Sequence, residues 1–287
     1  MKQIKYSFKK EWLHFFRTFR FGGVIIAIFS FAISDPLMYR MMLGMMNMLG
    51  EVMSETTLSA DISAAQDAMS MVTGMFADAG MVFAMTMADI CAMAVLIVTL
   101  ILMSPAGGEQ KKRATVIPLS SGLTNTCYLI PKFVMYPATV FAMTFVAALV
   151  SGGLCNALFD ENHIGFGMLL LASLLAAIYC TFVITVYLAV GLCTSRPAVA
   201  AILVYIGSSL AQVLLTGFDI TDYNPFTLKI MVTGGMFGGD FVLADNAASI
   251  AVGAAISVVL GVLMYFMTLA VLNAKKIDNQ QADEPEF

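Results

Sequence analysis

Six apolar runs, each about as long as a membrane-crossing helix, alternate with polar segments along this chain. A helix needs roughly 20 mainly apolar residues to cross the hydrocarbon core of a bilayer. The runs cover residues 21–40, 82–103, 133–150, 166–192, 198–216 and 247–272. The sequence therefore predicts an all-α polytopic membrane protein with six transmembrane helices.

The composition agrees with this class and argues against soluble enzymatic chemistry. Hydrophobic residues make up 60% of the 287 residues and charged residues 12%, and the mean hydropathy is +0.87, which the surface of a soluble domain cannot accommodate. The two histidines, His14 and His163, fall on opposite sides of the predicted membrane, so they cannot share a metal or a catalytic triad. Residues 107–112 (GGEQKK) lack the second glycine and the Lys-Ser/Thr of a phosphate-binding loop. We therefore expect no cofactor, metal or nucleic acid on this chain, and no ATP hydrolysis by the chain alone.

The distribution of basic residues predicts the orientation. With a cytoplasmic N-terminus and six crossings, 13 of the 15 Lys and Arg residues lie on the cytoplasmic side and only Arg40 and Lys229 lie outside. Positive charge is enriched in cytoplasmic segments of membrane proteins. We expect both termini in the cytoplasm, including an acidic tail at residues 277–287 after the transmembrane domain at residues 21–276, and a multi-pass location in a bacterial plasma membrane.

Residues 1–20 predict an amphipathic helix in the membrane interface, in contact with lipid. Apolar residues recur at spacings of four, four, three and four among six basic residues; they are Ile4, Phe8, Trp12, Phe15 and Phe19. A signal peptide is the alternative, which we disfavour because the leader would be unusually long and aromatic.

The predicted outer segments are acidic. Residues 41–80 are also rich in methionine, which admits two interpretations: a Cu(I) site or adaptable apolar packing. We favour packing, because the 23 methionines are spread over the whole chain. Residues 217–246 include Asn224-Pro225 before a glycine-rich stretch, and this segment is too short to span; we expect a re-entrant or interfacial helix.

Two carboxylates interrupt the first two spans. Asp89 is an intramembrane carboxylate, and such a residue is by default a candidate proton carrier or cation ligand. The sequence offers it no second buried charge, so we interpret Asp89 as a water-facing or hydrogen-bonded group that contributes to a transport pathway in the outer vestibule. Asp35 lies next to Pro36 near the outer end of the first span, where we expect it to reach water.

The polar segment at residues 109–132 holds the densest basic cluster outside the N-terminus. We expect it to form a cytoplasmic loop that contacts a soluble partner. The candidate contact residues are Glu109, Lys111, Lys112, Arg113, Thr115, Pro118 and Lys132.

On four features the chain resembles the permease subunits of the type-2 family of ATP-binding-cassette (ABC) transporters. These are the N-terminal amphipathic helix, the six spans with a longer first cytoplasmic loop, the pattern Glu109-x-x-x-Arg113-x-Thr115 followed by Pro118-Leu-Ser-Ser and Lys132, and Asn224-Pro225 before the glycine-rich outer segment. Ala114 stands where the family has a glycine before the threonine, and the stretch between Thr115 and Pro118 is shorter than usual.

The resemblance implies a dimer of permeases, with itself or with a paralogue, and separate cytoplasmic ATPase subunits that bind ATP and Mg²⁺. Closure of the ATPases would be transmitted through the interfacial helix and the first cytoplasmic loop, and transport would most often be export. Two other classes stay open: a secondary transporter or channel, and a non-transport membrane scaffold or immunity protein.

Overall fold

The computed structural model describes residues 2–55, 72–74, 76–109, 124–218, 220, 222–237 and 241–282. Within these residues the chain is helical and contains no β-strand, apart from an isolated bridge between Asp78 and Glu161. The helices are α1 (Lys2–Arg17), α2 (Arg20–Glu55), α3 (Ala79–Ile101), α4 (Asn125–Leu158), α5 (Phe166–Thr194), α6 (Pro197–Gly217), the short α7 (Pro225–Ile230) and α8 (Leu243–Ala282).

Six of these helices, namely α2, α3, α4, α5, α6 and α8, are long and apolar enough to cross a membrane. This confirms the predicted all-α polytopic fold. α5 lies at the centre of the bundle, where it packs against α4, α6 and α8. In the most apolar window of α5, 61% of residues are buried inside the protein, whereas the figure is 17% for α6 and 11% for α8. The outer faces of α6 and α8 are therefore left for lipid or another membrane subunit.

Polar side chains fix the start of several helices. Asp78 caps α3, because its Oδ1 accepts hydrogen bonds from the backbone nitrogens of Gly80 (2.7 Å) and Met81 (3.1 Å). Thr124 caps α4, since its Oγ1 accepts from the backbone nitrogen of Cys127. Asn224 forms a capping box with Thr227 at the start of α7. Each interaction satisfies backbone donors that have no partner within the helix.

α1 docks on α4 through a face that the apolar pattern predicted only in part. Phe15 belongs to that pattern and is buried together with Ser7 and Glu11, whereas Trp12 is 54% exposed and Phe19, just after the helix, is 85% exposed. The ring of Phe15 packs edge-on against Tyr136 of α4, with centroids 5.2 Å apart. α1 therefore turns a partly polar stripe towards the protein and leaves aromatic and basic side chains on the outside.

Two glycines bring the segment after α3 against α5. Residues Ser104–Gly108 form a π-helical turn in which Gly107 has φ of +121°, a conformation that disfavours residues with a side chain. A Cβ atom at Gly107 would overlap the carbonyl oxygen of Gly191, and one at Gly191 would overlap that of Ala106. This backbone contact positions Glu109, which follows the turn directly.

Candidate functional site

Lys132 lies on α4 between two carboxylates. Its Nζ is 3.2 Å from Oε1 of Glu11 on α1 and 3.0 Å from Oε2 of Glu109 after α3. The Lys132 side chain is fully buried, and those of Glu11 and Glu109 are 4% and 16% exposed. α4 begins at Asn125, so Lys132 belongs to the helix and projects from its second turn. Three segments that are distant in sequence meet at this one ammonium group.

Two tyrosines on the same face of α4 complete the network. Tyr128, Lys132 and Tyr136 are spaced four residues apart, which places them one above another on a helix. The Tyr136 hydroxyl donates to Oε2 of Glu11 at 2.9 Å, and the Tyr128 hydroxyl donates to Oε2 of Glu109 at 3.4 Å. Nζ of Lys132 also lies 4.8 Å from the centroid of the Tyr128 ring.

The surroundings of Glu11 favour its charged form. Burial alone would raise the pKa of this carboxyl, but the positive charge of Lys132 and the hydrogen bond from Tyr136 outweigh burial and lower the pKa below its ordinary value of 4.5. Glu11 is thus held as an anion that pairs with Lys132. Breaking a buried ion pair from one side costs about 3–5 kcal/mol, because the other charge loses its compensation.

A divalent metal ion is poorly suited to this place. Ligand atoms of Glu11, His14 and Glu109 lie within 4.8 Å of one another, as in a metal site. The ammonium of Lys132 already contacts both carboxylates, and Nη1 of Arg20 lies 3.2 Å from Nδ1 of His14. Two cationic groups in contact with the ligand set would repel a further cation. The chemistry that fits the cluster is structural ion pairing.

The network fixes both ends of the loop that the sequence singled out. Glu109 is the last described residue before the loop, Thr124 is the first one after it, and Tyr128 and Lys132 follow within two turns. At the same end of the molecule Nδ2 of Asn125 donates to Oδ1 of Asn273 on α8 at 2.7 Å. Residues of α1, α4 and α8, and Glu109 after α3, therefore all contribute to the region where the predicted loop begins and ends.

Of the predicted contact residues, the structure brings Glu109 and Lys132 together. Lys111, Lys112, Arg113, Thr115 and Pro118 lie outside the described residues. Sequence reasoning missed Glu11. Its signal was present, since it is the one acidic residue among the first 20 and falls between Phe8 and Phe15 on the apolar side of the helix.

Asp89 lies elsewhere, 12 residues before the end of α3 at Ile101, which corresponds to roughly 18 Å of helix. It is half-buried and immediately precedes a π-helical turn at Ile90–Ala94. The Tyr39 hydroxyl of α2 is its hydrogen-bond partner, and Asp35 of α2 is close enough to interact with it electrostatically. Asp35 is 6% exposed, so the expectation that Asp35 reaches water was wrong. α2 and α3 pack side by side there, and the carboxyl group of Asp35 is enclosed by the protein.

The fold and the buried network define the class of the protein as a six-helix, all-α membrane protein with an N-terminal helix locked onto its transmembrane domain. Comparison of the chain with protein-family models, with curated proteins and with solved structures gave no match.

Proposed function

We propose that the chain is the membrane-spanning permease subunit of an ATP-driven ABC exporter, with its first cytoplasmic loop docked on a separate ATPase subunit. One observation carries the proposal: Lys132 joins Glu11 of the N-terminal helix to Glu109 at the base of that loop. A loop can transmit a partner's motion only if its ends are rigidly tied to the helices that must move.

The route of transmission follows from the contacts. A force on the loop reaches Glu109, and from there it passes through Lys132 to Glu11 and α1 on one side and along α4 on the other. The Gly107–Gly191 contact passes the same force to α5. Because these connections are buried, water does not screen them as it screens surface ion pairs.

The exposed faces suit an assembly in a membrane. α6 and α8 bury little of their apolar surface within this chain, which supports contact with lipid and with a second permease, either another copy or a paralogue. On α1, Trp12 and Phe16 are exposed beside Lys5, Lys9 and Lys10, as in helices that lie at an anionic membrane surface. On this proposal the chain resides in a bacterial plasma membrane and has no nucleotide site of its own.

A cation-coupled secondary transporter is the second candidate, and the closeness of Asp35 and Asp89 favours it. Buried acidic side chains within spanning helices are the usual carriers of protons and cations in such transporters. This pair would account for coupling to a cation gradient, but it gives no role to the ion pairs of Lys132 at the ends of the predicted first loop.

Purification of the affinity-tagged chain from native membranes in a mild detergent separates these candidates. The ABC proposal expects a cytoplasmic ATPase to co-purify in a fixed ratio to the chain and to hydrolyse ATP only when Mg²⁺ is present. A folded chain that carries no ATPase and no ATP hydrolysis, yet moves a solute along a proton gradient in vesicles, would establish the second candidate instead.

A further inference from the structure

A buried carboxylate oxygen in the membrane region has no partner. Oδ1 of Asp35 accepts a hydrogen bond from the Ser34 hydroxyl at 3.2 Å, whereas Oδ2 is buried without any hydrogen-bond partner among the described residues. A buried charge without partners is among the most unfavourable groups in a protein. The unpaired oxygen therefore makes the charged form of the Asp35 carboxyl costly at this position.

The neighbouring groups supply negative charge and no compensation. On α3 the titratable neighbour is Asp89, and on α2 it is Tyr39, whose hydroxyl binds Asp89. Two cationic side chains are described in the half of the bundle that we place outside: the guanidinium of Arg40 lies over the Phe159 ring and the ammonium of Lys229 over the Tyr179 ring, each 6.0 Å from the centroid. Neither is among the groups that act on Asp35 or Asp89. Among the described residues, no cationic group is thus identified that would balance the two carboxyl groups.

We propose that Asp35 and Asp89 form a proton-binding pair, in which one exchangeable proton resides on Asp35. A proton converts the unpaired Oδ2 into a neutral hydroxyl and removes the repulsion between two neighbouring carboxylates. A metal cation fits less well, because hard cations collect about six oxygen ligands, and the groups identified around the pair are two carboxyls and the hydroxyls of Ser34 and Tyr39.

The position of the pair gives the proton a structural effect. Asp35 belongs to α2 next to Pro36, and Asp89 belongs to α3 at the start of a π-helical turn. Both features are places where helices commonly bend. Loss of the proton would leave two like charges across the α2–α3 contact and push these helices apart. The proposal concerns this chain alone and does not depend on an ATPase partner.

Infrared spectroscopy of the purified chain in lipid nanodiscs detects the proton directly, because the C=O stretch of a protonated carboxyl group is separate from the amide and carboxylate bands. Asp35→Asn resembles the protonated carboxyl in shape and charge, so we expect it to fold. At pH 5 we expect a protonated-carboxyl band that is stronger in the wild-type chain than in Asp35→Asn. In Asp89→Asn the proton should leave Asp35 at lower pH, since the repelling charge is gone. The matched control is Asp160→Asn, at an exposed position outside the spans, and it should keep the band.

Two results would overturn the proposal. One is a protonated-carboxyl band at pH 5 that is no stronger in the wild-type chain than in Asp35→Asn. The other is a band whose intensity and pH range are the same in Asp35→Asn and Asp89→Asn as in the wild-type chain. Size-exclusion chromatography and circular dichroism establish that each variant is folded before its spectrum is compared.

Discussion

The ammonium of Lys132 and the carboxylate of Glu11 form a buried ion pair, with Nζ 3.2 Å from Oε1. The two residues are 121 positions apart in the sequence and belong to different helices. The same ammonium holds Glu109 at 3.0 Å. The N-terminal helix is therefore joined to the transmembrane domain at the point where the first predicted cytoplasmic loop begins and ends.

Removal of Lys132 should destabilise the protein strongly. Lys132→Met leaves the buried Glu11 and the partly buried Glu109 without a cationic partner, and we expect a loss of about 3–5 kcal/mol, measured by thermal unfolding in detergent. The control Lys9→Met removes an exposed lysine of α1 and should change stability by less than about 0.5 kcal/mol. Glu11→Gln and Glu109→Gln added to Lys132→Met should recover most of the loss. A triple variant as unstable as Lys132→Met would contradict an ionic origin.

The docking of α1 on α4 should depend on pH only under acidic conditions. The pKa of Glu11 lies below 4.5 in the folded protein, so its stabilising contribution is complete above pH 4.5 and is lost as the pH falls through the lowered pKa. Trp12 is the single tryptophan of the chain and lies on α1, so its fluorescence reports the position of this helix. We expect a transition below pH 4.5 that Glu11→Gln abolishes.

The His14→Gln background removes the neighbouring imidazole as a source of signal in that titration. A transition centred above pH 4.5 in this background, or one that persists unchanged in Glu11→Gln, would show that Glu11 does not control the docking of α1.

Close packing at Gly191 should be needed to place Glu109. A Cβ at this position would overlap the Ala106 carbonyl oxygen, so we expect Gly191→Ala to destabilise the protein by about 1–3 kcal/mol. Gly207→Ala is the matched control, because Gly207 also lies within a helix and a Cβ added there would meet no atom within 4 Å; it should be neutral or slightly stabilising. Equal thermal stability of the two variants would show that the backbone contact has no energetic role.

The predicted orientation can be tested with cysteines placed beyond the two ends of α5. In a cysteine-free background, Asp160→Cys should react with a membrane-impermeant maleimide in intact cells, whereas Arg196→Cys should react only after permeabilisation. Both native side chains are exposed, so accessibility differs only through the membrane. The reverse labelling pattern would show that the orientation is opposite to the one that the distribution of basic residues predicts.

The sequence predicted the fold more completely than the site. Long apolar runs required helices, because backbone polar groups in a bilayer must be satisfied within the chain, and the six spanning helices are confirmed. Glu109 and Lys132 stood out as charges at the edges of apolar runs, yet nothing in their spacing showed that they meet. Their contact depends on the approach of Gly107 to Gly191, a tertiary relationship between α5 and the turn after α3.

The burial of Glu11 and Asp35 could not be predicted from the sequence. The sequence places each next to apolar residues, but a single charge at the edge of such a pattern is usually solvated. Only the packing of α1 on α4, and of α2 on α3, makes them buried. The direction in which a helix turns its mixed face depends on its neighbours, which periodicity alone does not specify.

ATP hydrolysis by the purified complex, measured with the charge of Glu109 removed, tests the central claim most directly. Glu109→Gln keeps the shape of the side chain and the basic residues of the loop, and Glu161→Gln removes an exposed carboxylate at the opposite end of the bundle. We predict that both variants assemble with the ATPase in the wild-type ratio. Hydrolysis should fall at least several-fold in Glu109→Gln and stay unchanged in Glu161→Gln. Wild-type hydrolysis in Glu109→Gln would contradict coupling through the Glu109–Lys132–Glu11 network.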